Sequence, residues 1–251
     1  MRAAGAPAAW GKGNWHGRWI LSIEAMGRTT KPAGIPISRF LSTRIDAAGR
    51  IAEKALSIIN SVHGSQGLPR IPVNSEGTLY RPAGYTRTQS GKAVSINISP
   101  KSRFPLVDFT QEVGHFLDHQ AIGERGTFAS AQDPALGRWR ELVRDTGPVK
   151  RLVQLAGQER AKVVFPDESA GFLKVDRAYV RYLLEPHEIF SRCYAQFIAE
   201  KSRHAAMLNE IATLRSVRQG TVHYPVNWSE GEFSAILDEI ERIIMKLGWM
   251  T

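Results

Sequence analysis

Gln111-Glu112-Val113-Gly114-His115-Phe116-Leu117-Asp118-His119 is the stretch on which the fold and the chemistry of this chain turn. Pro105 can open a helix and a glycine can end one, so residues 105–121, stopping before Gly123, are predicted to be helical. Residues four apart leave a helix on one face, which puts Gln111, His115 and His119 in one row with Glu112 beside it. A hydrolytic zinc helix needs two histidines at that spacing and a glutamate after the first to act as general base, the pattern H-E-x-x-H. Here Gln111 stands in the first histidine's place, while Glu112 and His115 keep theirs. Gly114 costs roughly 1 kcal/mol against alanine inside a helix, so it calls for a reason such as close packing beside a site.

Upstream, apolar residues across 37–62 recur at three and four and end before Gly64, predicting an amphipathic helix. Short strands are expected at 71–73, 78–80 and 93–99; in the last, Val94, Ile96 and Ile98 alternate with Ser95, Asn97 and Ser99. Downstream, 133–145, 148–158, 186–201 and 205–214 read as helices, and 159–174 as mixed and irregular. The last helix opens on the capping-box pattern Ser229-x-x-Glu232, carries an apolar stripe from Phe233 to Leu247, and closes at Gly248. Residues 1–35, rich in Gly, Ala and Pro with Trp10, Trp15 and Trp19, read as an extended arm, and 36–251 as one domain. A small N-terminal sheet region followed by a mostly helical C-terminal half points to α+β rather than to alternating units.

A third metal ligand would have to come from a separate helix. Leu184-Glu185-Pro186-His187-Glu188-Ile189-Phe190-Ser191-Arg192 supplies a carboxylate at its start, and Glu188 is that candidate. With these pieces in hand, residues 61–249 resemble phage and prophage-encoded proteins that carry a zinc-metallopeptidase-like domain. The resemblance rests on Val62-His63-Gly64 with Leu68-Pro69-x-Ile71-Pro72-Val73, on Val94-Ser95-Ile96-Asn97-Ile98-Ser99, and on Glu112-x-Gly114-His115-Phe116-Leu117-Asp118. It continues through Pro186-x-Glu188-x-Phe190-x-Arg192-x-Tyr194 and the closing Leu247-Gly248-Trp249. The resemblance implies a zincin-like, gluzincin-type α+β fold, with His115 and Glu188 as zinc ligands, Glu112 as general base, and the strand from Val94 near the substrate cleft.

Gln111 is the departure from that pattern. It offers zinc only a neutral amide oxygen, a poorer donor than imidazole nitrogen, so the cofactor is expected to be weakened or lost. A shifted ligand set of His115, His119 and Glu188 is conceivable, but Phe116 then stands where the base should be. Each residue also has an ordinary reading: Glu112 as a surface carboxylate, His115 as a core histidine, Glu188 as a first-turn residue favoured by the helix dipole, His119 as a surface histidine. Tyr179, Tyr182 and Arg192 lie near the third-ligand segment and read mainly as packing residues, while His63, His187, His204 and His223 show no ligand spacing.

Composition narrows the partners. Lys and Arg outnumber Asp and Glu by 33 to 24, but the cations are scattered and form no long block, so nucleic acid is a weaker candidate than a protein partner or peptide substrate. The single cysteine, Cys193, sits among apolar residues and excludes an internal disulfide framework. No apolar run has the length of a membrane span or a secretory signal, which leads to the expectation of a host-cytoplasmic or phage-particle protein. Three functions follow: a pseudoenzyme serving as a binding or virion-assembly component, an active metal-dependent peptidase using Glu112, and a nucleic-acid-associated protein using the Trp-rich arm.

Overall fold

The structure is a computed structural model that describes residues 47–63, 73–74, 83–87, 93–99 and 101–250. The expected arm at 1–35 and strand at 78–80 lie outside the described residues. What is described is a mixed α+β architecture, mostly helical, and its centre is a pair of long helices, α2 (Pro105–Gln120) and α7 (Pro186–Ser202).

Around this pair the other elements bury their apolar faces. Helix α1 (Ala47–His63) packs on both, inserting Ala52, Ala55, Leu56 and Ile59. Strands β1 (Val73–Asn74), β2 (Ala83–Arg87) and β3 (Ala93–Ile98) form one sheet in the order β1-β3-β2, with β3 parallel to β1 and antiparallel to β2. The strand that the alternation singles out is therefore the central one, and its Ile96 and Ile98 are buried in the core. The sheet lies on α2.

Past the site helix come α3 (Ala129–Gln132), a 3-10 turn (Pro134–Leu136), α4 (Gly137–Arg144) and α5 (Gly147–Ala156). The stretch 159–174, expected to be irregular, is instead an antiparallel hairpin of β4 (Arg160–Val164) and β5 (Ala170–Lys174). Ala161 and Val163 face inward on alternate positions, and the turn is held by Asp167, which accepts from Ser169 N and Oγ, and by Glu168 at φ 64°. A short helix that the sequence reading did not separate, α6 (Arg177–Leu183), starts on Asp176, whose carboxylate accepts from Tyr179 N at 3.0 Å. With α5, the hairpin and the 222–226 segment it closes a small second core around Leu152, Leu155, Val175 and Val180.

Helices α8 (Ala205–Arg215) and α9 (Glu230–Lys246) cover the remaining faces of the central pair. The capping box at Ser229 and Glu232 forms as its spacing predicts, and Gly248 takes the left-handed φ of 70° that ends the chain's last helical turn. Cys193 is fully buried, and burial pushes its thiol well up, as expected of a small core residue.

Candidate functional site

Three devices hold α2 where its chemistry is needed. Its N-terminus has no cap of its own, since Phe104 offers no acceptor side chain; Glu210 of α8 supplies one, accepting from Leu106 N at 3.1 Å and Val107 N at 2.9 Å. Midway, Gly114 lets the two central helices meet: a Cβ there would lie 3.0 Å from Ser191 Cα and 3.3 Å from Tyr194 Cβ. This is the close packing that a glycine inside a helix called for. At the far end, buried Asp118 accepts from Ser130 N at 2.7 Å and Ser130 Oγ at 2.6 Å, which fastens α3 over the site helix.

Helix α7 is fixed from its other side. Pro186 opens it, and buried Arg192 donates to Glu188 O at 2.9 Å, to Val226 O at 3.2 Å and to Leu183 O. Arg192 is thus a staple between α7, α6 and the segment at Val226, which agrees with its reading as a packing residue. The same first turn presents Glu188 to α2.

There the predicted residues converge. His115 Nε2 lies 3.6 Å from Glu188 Oε1, both side chains being almost wholly buried. Half-buried Glu112, one turn earlier on α2, acts electrostatically on His115 and on the Tyr182 ring of α6. The Tyr182 hydroxyl is a hydrogen-bond donor to the Glu188 carboxylate. One further group was not anticipated: His187 Nε2 also stands 3.6 Å from Glu188 Oε1. One carboxylate oxygen therefore faces two imidazoles.

Charge follows from this arrangement. Burial by itself would pull the His115 imidazole down, but Glu188, backed by Glu112 and Asp118, outweighs it and holds His115 up at about 9. Burial would likewise raise Glu188, yet His115, His187 and Tyr182 keep it below the ordinary glutamate value. The Tyr182 phenol is pushed well up by burial and by the two glutamates, so it stays protonated and able to donate.

No family model, curated protein or solved structure matches the chain. Its function has to be read from these side chains.

The zinc implied by the sequence resemblance can be tested against them. The donor types fit a divalent ion: two imidazole nitrogens, and a buried carboxylate oxygen, Glu188 Oε1, that makes no hydrogen bond. Their placement stops short of a formed centre, because among the described residues no group of three or more His, Cys, Asp or Glu side chains stands ready to hold a metal. Gln111 is half-buried on α2. His119 is not the surface histidine of the ordinary reading: it is fully buried, its ring 4.8 Å from that of Phe128 and its Nδ1 2.7 Å from Gln120 Nε2. The histidines that meet Glu188 within ion-pair distance are His115 and His187, so the shifted set built on His119 is not the one the helices assemble.

Sequence spacing missed His187 and Phe128. His187 stacks on Phe128 with ring centroids 4.5 Å apart and planes 16° from parallel, and Phe128 leads into α3. The available signal was only the adjacency of His187 to Glu188. Among the described residues no helix is long and apolar enough to cross a membrane.

Proposed function

We propose that the chain is a zincin-derived, metal-dependent peptide hydrolase of phage origin that has lost the first motif histidine and keeps Glu112, His115 and Glu188. The observation that carries this reading is the meeting of Glu112, His115 and Glu188, from two helices more than 60 residues apart in sequence, at one buried junction. Burying an imidazolium and a carboxylate costs several kcal/mol of desolvation per ion, and apolar residues of similar size commonly serve stability as well or better. A junction kept only for packing gains by losing these charges. Perturbed, mutually coupled titratable groups gathered beside a helix pair are the usual mark of working chemistry.

Each residue then has a task. Glu112 takes the proton of the attacking water and passes it to the departing amine, as a general base and then an acid. Tyr182, held protonated, donates to Glu188 and so orients that carboxylate. His115 and Glu188 would hold the divalent ion, with Asp118 and Arg192 fixing the turns that carry them. A bound divalent ion supplies Lewis acidity toward a carbonyl or water oxygen.

Gln111 favours a second reading, in which catalysis is gone and the cleft is a protein-binding surface for virion assembly. Hydrolysis of an unfolded protein substrate, followed with added zinc, cobalt or manganese, separates the two. The hydrolase reading expects turnover that falls by about 10²- to 10⁴-fold in Glu112→Gln with metal content unchanged. Equal turnover in both proteins, or none with any metal, leaves the assembly reading in possession.

A further inference from the structure

We propose that the outer face of the β4–β5 hairpin binds single-stranded nucleic acid, with Arg160, Lys162 and Lys174 taking phosphates and a base stacking on Phe172. This role goes beyond the hydrolase reading and does not depend on it.

The strand register puts these side chains together. Arg160 pairs with Lys174, Lys162 with Phe172 and Val164 with Ala170, and directly opposed residues share one face of a strand pair. All six are exposed, Phe172 by 60% and Val164 by 51%. The alternate residues Ala161 and Val163 are buried, Ala161 in the second core with Val175, so the ribbon is anchored from behind and presents a single face. Cations that look scattered along the chain are thus gathered by the pairing of two strands.

That face calls for an anionic partner. Arg160 and Lys174 stand directly opposite each other, and like charges so placed weaken a strand pair. Among the described residues no carboxylate lies within 4.0 Å of the Arg160, Lys162 or Lys174 charge, so no described residue neutralises them.

The ring decides which anion. An exposed aromatic among cations is the combination that holds single strands, whose bases stack on the ring while the cations follow the backbone. Residues two apart on a strand stand about 6.6–6.8 Å apart, so Arg160 and Lys162 are spaced much as neighbouring phosphates are in an extended strand. A duplex fits less well, because its bases are already stacked and offer Phe172 no free face. An anionic bilayer also fits less well: the turn would enter first, and Asp167 and Glu168 are exposed there.

Fluorescence anisotropy of the full-length chain with short labelled single-stranded DNA and RNA of mixed sequence tests this. Phe172→Ala should lower affinity roughly 5- to 150-fold with the salt dependence unchanged, and Phe172→Trp should keep it. Changing Arg160, Lys162 and Lys174 together to Ala should flatten the slope of log K against log salt by about 2, from three phosphates at about 0.7 each. Because these side chains are exposed, thermal unfolding should be unchanged or slightly raised. Arg144→Ala with Lys246→Ala, exposed on α4 and α9, should bind as the native chain does. An equal loss in that control, or native affinity in Phe172→Ala, leaves only the general attraction of a chain of net charge +9 and overturns the site. A duplex bound as tightly as the single strand, or no oligonucleotide bound at all, overturns it too. Binding of phosphatidylserine vesicles or polyglutamate through the same residues, with no oligonucleotide bound, would give the face to a membrane or an acidic protein instead.

Discussion

His63 and His115 are buried to nearly the same depth, 5% and 3% exposed, and both meet α7, yet at neutral pH His63 is neutral and His115 carries a positive charge. His63 Nδ1 is 3.1 Å from the Trp249 carbonyl, which can only accept, so Nδ1 carries the proton and Nε2 accepts from the Tyr194 hydroxyl at 2.9 Å. Its needs are met by neutral groups, and burial lowers it to about 4. His115 faces Glu188, with Glu112 and Asp118 behind it, and is held at about 9. Depth of burial does not set a histidine's charge; the company of carboxylates does. One end of the helix pair is built as core and the other as a charged site.

The sharpest way to break this contrast is Glu188→Ala. Removing one partner of a buried ion pair costs roughly 3–5 kcal/mol, and denaturant unfolding should find a loss in that range near neutral pH. NMR titration should show His115 falling from about 9 toward the behaviour of His63. A His115 that still titrates near 9 would mean that Glu188 is not what holds it.

The His63 end is tested by pH. Its folded value, about 4, lies below the ordinary 6.5, so the unfolded chain binds the extra proton. The stabilisation is present in full above pH 6.5 and is lost as pH falls through 4, by up to roughly 3 kcal/mol. Stability curves of the native chain and His63→Gln should therefore converge over that window. Parallel curves would show that His63 is already matched in the unfolded state.

Gly114→Ala moves both ends at once, because the helices that carry them cross there. The methyl gains about 1 kcal/mol of helix propensity, but a Cβ 3.0 Å from Ser191 Cα forces the helices apart. A net destabilisation of roughly 1–2 kcal/mol is expected by thermal unfolding, together with altered titration of His115. The smallest effect is the remote control: Ser229→Ala removes half of the α9 capping box and should cost about 1 kcal/mol, with both histidines titrating as before.

Much of the site helix was legible in advance. Pro105, the apolar rhythm to Leu117 and Gly123 bound it, and helical spacing alone put Glu112 and His115 together. Glu188 could be named because a carboxylate opening a second helix is what a third ligand looks like. His187 could not, because helical ligand rules look four residues away and it is the next residue along, brought to the same oxygen by the first turn of α7. The hairpin escaped for a related reason. Its turn places Glu168 in the left-handed region, where sequence reading looks for glycine or asparagine, and only Ala161 and Val163 mark the buried side of β4. Helix α6 is seven residues long, too short for periodicity to declare, so the Tyr182 hydroxyl's partner stayed hidden.

The cap that Glu210 places on α2 sets a timetable. The carboxylate lies 103 and 104 positions after the backbone groups it receives. At about 5–20 residues per second of synthesis, the first turn of the site helix waits roughly 5–20 seconds for its acceptor. Through that interval Glu112 and His115 belong to a helix with an unsealed end, and α7, made only in its last part, is followed directly by α8. The site helix is thus sealed from its far side, after every residue of the site has already been made.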